Sequence, residues 1–222
     1  MSLPGGRVRV SVPAVADRPH QLTAIDLGDP PEAWRAAGFD VADDGTFTLG
    51  STVVRCTASG GGFLGWRLDD VDVDLDGLPS TWAGQARAAV THQNGITSID
   101  HVVIRTGDVE RTIAAFQRAG LEVRGGRSTT SYGAPMRQTF FWAGDVILEL
   151  VGPDQGEPAT DETTSIFGLA LVSPDLDATA AALEGLLGTP KPAVQEGRRI
   201  AGLRGKDVGI HLPVAVMSPH PG

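Results

Sequence analysis

One stretch of this chain occurs twice. Residues 98–153 show the order of a strand, a helix and further strands, and the same order returns in residues 165–213. The first copy opens with Ser98–Asp108, which aligns with Ser165–Asp175 at the opening of the second. A unit of this size cannot bury both faces of its own sheet, so we expect it to pair with its copy and to form a pocket between the two.

Each opening strand leads into a helix with matching start and stop signals. Asp108 and Asp175 are short acceptors, placed where they can cap the backbone N–H groups of a first helical turn. Gly120 and Gly188 lie where the helix, or the loop after it, needs a left-handed residue. The repeat therefore predicts two equivalent strand–helix units.

The two copies also end on strands of similar sequence, Asp145–Leu150 and Asp207–Leu212, which align without a gap. Alternate side chains of a strand point to opposite faces, so one face of these strands is apolar and the other polar. The apolar residues, which we expect to pack under the helices, are Val102, Ile104, Leu148, Leu150, Leu169, Leu171, Ile210 and Leu212. The polar side chains of His101, Glu149 and His211 are expected to converge on the other face.

Three segments resemble the vicinal oxygen chelate superfamily of glyoxalases, bleomycin resistance proteins and extradiol dioxygenases. They are Asn94–Val103, Gly107–Glu110 and Ile147–Pro153. Members of this superfamily pair two βαβββ modules into a half-open barrel around one divalent metal. The resemblance implies an α+β fold whose glyoxalase-like domain spans residues 96–217, with modules at 96–153 and 165–217.

The resemblance also implies a set of metal ligands, near the start of each module's first strand and on its last strand. These positions are His101 and Glu149 in the first copy, and Gly168 and His211 in the second. Gly168 has no side chain, which leaves His101, Glu149 and His211 as ligands for Fe, Mn or Zn. Two readings without a metal stay open: a neutral hydrogen bond from histidine to the carboxyl group, or Arg105 as the partner that keeps Glu149 ionised.

The implied activity is that of a lyase, isomerase or dioxygenase on a small molecule, with the metal as Lewis acid and Glu149 as the catalytic base. Arg105, Tyr132, Gln138 and Phe140 are the expected substrate-binding residues. The missing ligand at Gly168 favours an alternative, a non-catalytic protein that sequesters a small molecule in a barrel with a decayed metal site. A lyase or isomerase that uses Glu149 without metal is a third reading.

Residues 1–95 are interpreted as a degenerate, metal-free module. A strand at Leu22–Asp29 is followed by a helix that begins at the prolines 30–31 and ends at Gly38. A hairpin at 46–58 and a strand at Phe63–Leu68 follow, and the position that matches His101 is Leu22. This half is expected to pack against the barrel.

The segment Asp72–Gly77 has the opening spacing of a calcium-binding EF loop. Ala83 stands at the twelfth position, where such a loop needs a bidentate glutamate. We therefore interpret the alternating Asp and Val as the exposed edge of a strand, where charges prevent pairing with other strands.

Charge and cysteine content limit the partners of this chain. The net charge is −9 and the lysines are Lys191 and Lys206, so we expect no nucleic acid partner. The single cysteine, Cys56, excludes an intramolecular disulfide and indicates the cytoplasm. Met1–Gly6 lacks signal-peptide features, and the apolar runs are too short to span a membrane. We expect small-molecule partners and allow for a homodimer.

Overall fold

The computed structural model describes residues 20–81, 88, 90–130, 134–154 and 162–220 of the 222-residue chain. Within these ranges the strands form two sheets, and a few short helices accompany them, so the expected α+β class is confirmed. In chain order the elements are β1 (Leu22–Leu27), α1 (Pro31–Ala36), β2 (Thr46–Leu49), β3 (Thr52–Cys56), β4 (Phe63–Leu68), β5 (Ser98–Arg105), α2 (Val109–Arg118), β6 (Gly125–Thr129), β7 (Met136–Ala143), β8 (Val146–Pro153), β9 (Ser165–Val172), α3 (Leu176–Ala182), β10 (Lys191–Pro192), β11 (Arg199–Gly202) and β12 (Val214–Met217).

The larger sheet contains the duplicated unit. Its strand order is β10-β11-β12-β9-β5-β8-β7-β6, with β5 and β9 antiparallel at the centre. In each half the first strand runs parallel to the last, β5 beside β8 and β9 beside β12. This is the connectivity of two paired βαβββ modules, as expected. The strand order ends at β10 and β6, so the described strands form an open sheet and not a closed barrel.

The prediction of a closing strand at Asp207–Leu212 is wrong. Residues Gly205–Val208 form a 3-10 turn, and the last strand is β12, a few residues further on. Gly209 has a φ of 91°, in the left-handed region, and Pro213 offers no backbone N–H, so neither suits the interior of a strand. Ile210 and Leu212 are nevertheless buried, which explains why their alternation resembles a strand.

The helix signals are confirmed with one exception. Asp108 accepts a hydrogen bond from Arg111 N at 3.0 Å, and Asp175 caps α3 in the same way. Gly120 is left-handed, with a φ of 88°. After α3 it is Gly185 and not Gly188 that adopts this conformation, because the helix already ends at Ala182. No helix in the described ranges is long and apolar enough to cross a membrane.

The N-terminal elements occur as predicted but pair differently. The small sheet has the order β2-β3-β1-β4, in which β1 is parallel to β3 and antiparallel to β4. In the two later modules the first strand is parallel to the third strand after the helix, as β5 is to β8 and β9 is to β12. In the N-terminal region β1 is instead parallel to β3, the second strand after the helix. β4 lies where the larger sheet has the first strand of the other module.

One hydrophobic core extends under both sheets. It contains Trp34 and Leu22 from the N-terminal region together with Phe116, Phe141 and Leu171 from the duplicated unit. The ring centroids of Phe116 on α2 and Phe141 on β7 are 5.1 Å apart. Helix α2 therefore covers the face of the large sheet that carries Phe141, and the opposite face, which carries Phe140, is left for the site.

Candidate functional site

An irregularity in β5 brings two neighbouring side chains together. Consecutive residues of a regular strand point to opposite faces, but the pairing of β5 with β9 shifts register between Ile99 and His101, which leaves Asp100 unpaired. As a result Asp100 Oδ2 lies 2.7 Å from His101 Nδ1. The bulge thus places a carboxylate directly behind an imidazole.

A buried arginine holds this carboxylate. The Arg198 side chain is 0% exposed and that of Asp100 is 2% exposed, and their closest atoms, Nη2 and Oδ1, are 2.5 Å apart. Arg198 Nη1 contacts the second carboxylate oxygen at 3.2 Å. The remaining N–H groups of Arg198 donate to Ser218 O and Gln195 Oε1, so the buried charge is fully hydrogen-bonded. Arg198 precedes β11, and this contact therefore joins the second module to the first.

Burial, hydrogen bonds and charge together set the pKa of Asp100. Burial alone would raise it, but the hydrogen bonds from His101 and Arg198, and the positive charges of these two side chains, outweigh burial and lower the pKa to about 2. Asp100 is therefore ionised at neutral pH and accepts the proton on His101 Nδ1. In the neutral imidazole this leaves the lone pair on Nε2.

Glu149 faces the open nitrogen of His101. His101 Nε2 and Glu149 Oε2 are 3.6 Å apart, and the two side chains are 17% and 11% exposed. The other carboxylate oxygen of Glu149 accepts a hydrogen bond from Gln138 Nε2, and Gln138 Oε1 accepts one from Arg127 Nε. Hydrogen bonds to Asp100 and Gln138 thus hold His101 and Glu149 on their far sides, and His101 Nε2 and Glu149 Oε2 face each other.

A small apolar cluster lies beside this pair. Phe140 is the cross-strand partner of Glu149, and Trp142 that of Ile147, so these side chains share one face of the sheet. Phe140, Trp142 and Ile147 form a cluster separate from the main core. The site therefore combines a polar centre with an apolar wall, as small-molecule sites commonly do.

The structure brings several of the predicted site residues together. His101, Glu149, Gln138 and Phe140 lie on this face, at or next to the central pair. Arg105 is on the same face, but its guanidinium carbon lies 5.9 Å from the centroid of the Phe167 ring. In the described part of the chain it forms no ion pair with Glu149. Tyr132 lies outside the described residues.

The structure does not bring the predicted ligand His211 to the central pair. His211 lies in the loop before β12, its side chain is 59% exposed, and its Nδ1 is 3.1 Å from Asp29 Oδ1. The pairing register explains why His211 is not the counterpart of Glu149. Glu149 pairs with Val103 in the first module, and Ala170, the residue of the second module that aligns with Val103, pairs with Ala215. Ala215 therefore occupies the position of Glu149, and it has no donor atom.

The glycine at position 168 has a packing reason. A Cβ there would lie 2.6 Å from the backbone oxygen of Pro213. The same oxygen accepts a hydrogen bond from Leu169 N at 3.0 Å. Because the backbone of Pro213 packs directly on Gly168, no ligand side chain fits at this position without a shift of the strand.

The described residues do not assemble the predicted three-ligand metal centre. They contain no group of three or more His, Cys, Asp or Glu side chains placed to hold an ion. His101 Nε2 and Glu149 Oε2 could together contact an ion, since two bonds of about 2.1 Å span up to about 4.2 Å. Protein zinc sites use at least three side-chain ligands, and the other two positions, Gly168 and Ala215, offer none.

Three residues of the site are absent from the sequence prediction: Asp100, Arg198 and His220. His220 Nε2 accepts a hydrogen bond from Arg198 Nη1 at 3.2 Å, and burial together with the charge of Arg198 lowers the pKa of His220. The Asp100–His101 dipeptide was a visible signal, but strand alternation assigned its two side chains to opposite faces. No local pattern points to Arg198, which is 98 residues away from Asp100 along the chain.

Several solved structures are similar to this chain. Methylmalonyl-CoA epimerase from Mycobacterium tuberculosis is 19% identical, with a TM-score of 0.44 over 57% of this chain and 91% of that one. A variant of Streptomyces coelicolor methylmalonyl-CoA epimerase, in complex with 2-nitronate-propionyl-CoA, is 22% identical, with a TM-score of 0.43 over 57% and 99%. A mutant 4-hydroxymandelate synthase from Streptomyces coelicolor is 14% identical, with a TM-score of 0.43 over 86% and 65%.

A family model identifies the segment that contains the site. No curated protein matches the chain. Residues 100–201 match the model described as the Glyoxalase/Bleomycin resistance protein/Dioxygenase superfamily, which confirms the expected resemblance. The matched segment begins at Asp100 and includes His101, Glu149 and Arg198. The chain therefore carries, over residues 100–201, a domain of the Glyoxalase/Bleomycin resistance protein/Dioxygenase superfamily.

Proposed function

We propose that this protein binds a small molecule on the site face of the large sheet and exchanges a proton with it through His101 and Glu149. The chemistry is that of an isomerase or lyase acting on a carbon acid, a molecule with an acidic C–H bond beside a carbonyl group. The observation that carries the proposal is the 3.6 Å approach of His101 Nε2 to Glu149 Oε2, with Asp100 bound to the other ring nitrogen.

His101 acts as the base. Its Nδ1–H donates to the ionised Asp100, so Nε2 carries the lone pair that can take a proton from the ligand. The imidazolium that results lies between two carboxylates, Asp100 at 2.7 Å and Glu149 at 3.6 Å, which stabilise its charge. Both carboxylates therefore lie where the positive charge of the imidazolium develops.

Glu149 supplies a second basic atom on the same face. Gln138 donates to its Oε1 and holds the carboxylate so that Oε2 faces the imidazole. Glu149 can accept the proton from His101 Nε2 or return it to the ligand. The apolar side chains of Phe140 and Trp142 beside it exclude water, which strengthens the charge interactions within the site.

A solvent exchange experiment tests this function. The protein is incubated in deuterium oxide with a panel of 2-oxo acids, 2-hydroxy ketones and thioesters, and NMR follows the loss of the acidic C–H signal. We expect exchange with at least one class, lowered about 100-fold or more in His101→Gln and in Glu149→Gln. Glu184→Gln, an exposed residue of the second module, is the matched control and should retain the wild-type rate.

Metal content is tested separately. The atoms a divalent ion would contact are the two that exchange the proton in this proposal, so ion and proton would compete for them. We expect protein purified without chelators to contain less than one equivalent of Fe, Mn or Zn, because the described residues provide two ligands. Stoichiometric metal that disappears in His101→Gln would instead support the metal-dependent enzyme.

A sequestering protein is the second candidate function. Gly168 and Ala215, which occupy two of the four ligand positions of the superfamily, carry no side-chain ligand atom, and this favours a protein that binds a small molecule without turnover. Calorimetry on the same panel separates the two functions. A ligand that binds tightly while its C–H signal persists in deuterium oxide would identify a binding protein.

A further inference from the structure

We propose that the ligand of this site is an organic anion, whose carboxylate or phosphate group binds to Arg105 and Arg127 while its apolar part lies along Phe140 and Trp142. This inference rests on the proposed function, because it names the substrate class of the same site. It is carried by the positions, partners and burial of the two arginines.

The two arginines occupy one cross-strand row on the site face. Arg105 pairs with Val151, Val151 with Gln138, and Gln138 with Arg127, so the four side chains point to the same side of the sheet. Glu149 lies two residues from Val151 along β8, a distance of about 7 Å. The row of arginines is therefore the immediate neighbour of the row that contains Glu149.

Neither arginine has a carboxylate partner within the described residues. Arg127 donates to the neutral side chain of Gln138, and Arg105 lies over the ring of Phe167. The chain has 27 acidic and 18 basic residues, and most other described arginines pair with an acid. Those that do are Arg35, Arg55, Arg67, Arg111, Arg124, Arg137, Arg198 and Arg199. The charges of Arg105 and Arg127 thus remain for a ligand.

The surroundings of the two arginines differ. On β6, Gly125, Arg127 and Thr129 are partly covered while Gly126 and Ser128 are exposed, so the Arg127 side chain lies on the covered face. Arg105 is exposed, but its guanidinium contacts the ring of the residue left unpaired in β9. The two arginines are three strands apart, about 14 Å, so an anion that contacts both must lie between them, over Val151 and Gln138.

Successive rows of the site face define the shape of the ligand. The arginine row comes first, the row of Glu149 and Phe140 follows, and His101 and Trp142 share the next row, both paired with Ile147. A ligand that spans these rows has an anionic group at one end and an apolar group, such as an aromatic ring, toward the other. Its acidic C–H bond lies between them, a few bonds from the charge.

Three probes of similar shape test the inference by calorimetry: phenylacetate, phenyl phosphate and the neutral phenylacetamide. We expect at least one anion to bind about tenfold or more tightly than the amide, and its affinity to fall as salt is added. The stronger of the two anions identifies the carboxylate or the phosphate as the preferred group. Arg127→Met and Arg105→Met should each weaken the anion about tenfold and leave the amide unchanged.

Two further variants serve as controls. Arg118→Met removes an exposed arginine from α2, on the opposite face of the sheet, and should bind all probes as the wild type does. Arg127→Lys keeps the charge and should restore part of the affinity. Circular dichroism of each variant separates lost binding from lost folding.

The outcomes distinguish this inference from the proposed function. Equal affinity for anions and amide, no binding by any probe, or unchanged affinity in both methionine variants overturns the anion inference. Deuterium exchange into a neutral ketone would then leave the proton-transfer function standing. Conversely, anion binding that depends on Arg105 and Arg127, without exchange in any carbon acid, supports the anion site and contradicts the catalytic function.

Discussion

At the scale of single residues, Asp100 determines the chemical state of the site. It is buried, ionised, and bound on one side to Arg198 and on the other to His101. The ionised carboxylate selects the tautomer of His101 and thereby exposes Nε2 to the ligand. Arg198 does not reach the ligand-facing nitrogen itself, so we regard it as a positioning residue that acts through Asp100.

The first prediction concerns the pH dependence of stability. The pKa of Asp100 is lower in the folded chain than in the unfolded chain, so its contribution is complete above about pH 4 and is lost as the pH falls toward 2. This loss amounts to about 2 kcal/mol in the free energy of unfolding. Urea unfolding at pH 5, 3 and 2 should show it in the wild type and not in Asp100→Asn.

The same variant should also lose stability at pH 7. Asp100→Asn leaves the Arg198 charge buried without its carboxylate, which costs about 3–5 kcal/mol. Asp177→Asn is the matched control, since its ion pair with Arg199 is exposed, and it should resemble the wild type at pH 7. An equal loss in both variants would contradict the role assigned to Asp100.

The second prediction concerns Gly168. Gly168→Ala should lower the free energy of unfolding by about 1–3 kcal/mol, because the added methyl group meets the backbone of Pro213. Gly202→Ala on β11 is the control, since its methyl group would have no neighbour within 4 Å, and it should leave stability unchanged. Chemical unfolding measures both variants. Tolerance of alanine at 168 would mean that this position is a lost ligand site and not a packing requirement.

At the scale of elements, the duplication extends to details beyond the strand pattern. Arg137 on β7 pairs with Glu110 on α2 at 2.5 Å, and the equivalent Arg199 pairs with Asp177 at 2.6 Å. The unpaired residues of the two central strands, Asp100 in β5 and Phe167 in β9, are also aligned. The repeat therefore supported the prediction of both opening strands and of both helix caps.

The closing strand of the second module marks where the repeat misled the prediction. The sequence of residues 207–212 aligns with that of residues 145–150, but the strand that pairs with β9 begins at Val214. Apolar residues at alternate positions are typical of a strand, yet a buried loop can show the same pattern. Only the register with β9 distinguishes the two, and register depends on pairing between distant segments.

The prediction that the segment Asp72–Gly77 is the exposed edge of a strand is wrong. This segment consists of bends and turns, and Asp76 accepts hydrogen bonds from Arg111 Nε at 2.7 Å, Thr112 Oγ1 at 2.6 Å and Thr164 Oγ1. Burial opposes the ionisation of Asp76, but these hydrogen bonds outweigh it and lower its pKa. The segment thus fastens the N-terminal region to the start of α2.

The third prediction follows from this contact. Asp76→Asn should lower the free energy of unfolding by about 1–3 kcal/mol, because it weakens a charge-assisted hydrogen bond network. Urea unfolding measures the change, and hydrogen exchange should show faster opening at the first turn of α2. Asp74→Asn provides the control: its side chain is exposed and accepts from Gly77 N within the same turn. A similar loss in Asp74→Asn would argue against a specific role of Asp76.

At the scale of the whole molecule, the N-terminal region and the duplicated unit are connected by polar contacts as well as by their core. Asp29 is 0% exposed, and it accepts hydrogen bonds from Trp34 Nε1, Gly62 N and His211 N. Gly50 N donates to Thr97 O at 2.8 Å. The predicted ligand His211 therefore has a structural place, in the contact between the two parts.

The fourth prediction is that both parts unfold together. Because one core crosses the boundary, urea unfolding should be a single transition, and the slowest amides of β1 and β5 should exchange with the same opening free energy. Asp29→Asn should lower the urea concentration at the midpoint of unfolding by the same amount for both strands. Two transitions, or protection in β5 that survives the loss of β1, would show that the N-terminal region folds independently.

The sequence by itself determined the opening strand and the helix of each module, the helix caps at Asp108 and Asp175, and the apolar faces of β5 and β8. These features depend on residues that are close together in the chain, so the capping residues and the alternation of apolar side chains can be recognised in the sequence. Only the tertiary structure decided which polar side chains meet. The bulge at Asp100, the arrival of Arg198 and the replacement of His211 by Ala215 depend on register between distant strands, which is set by the packing of the whole fold.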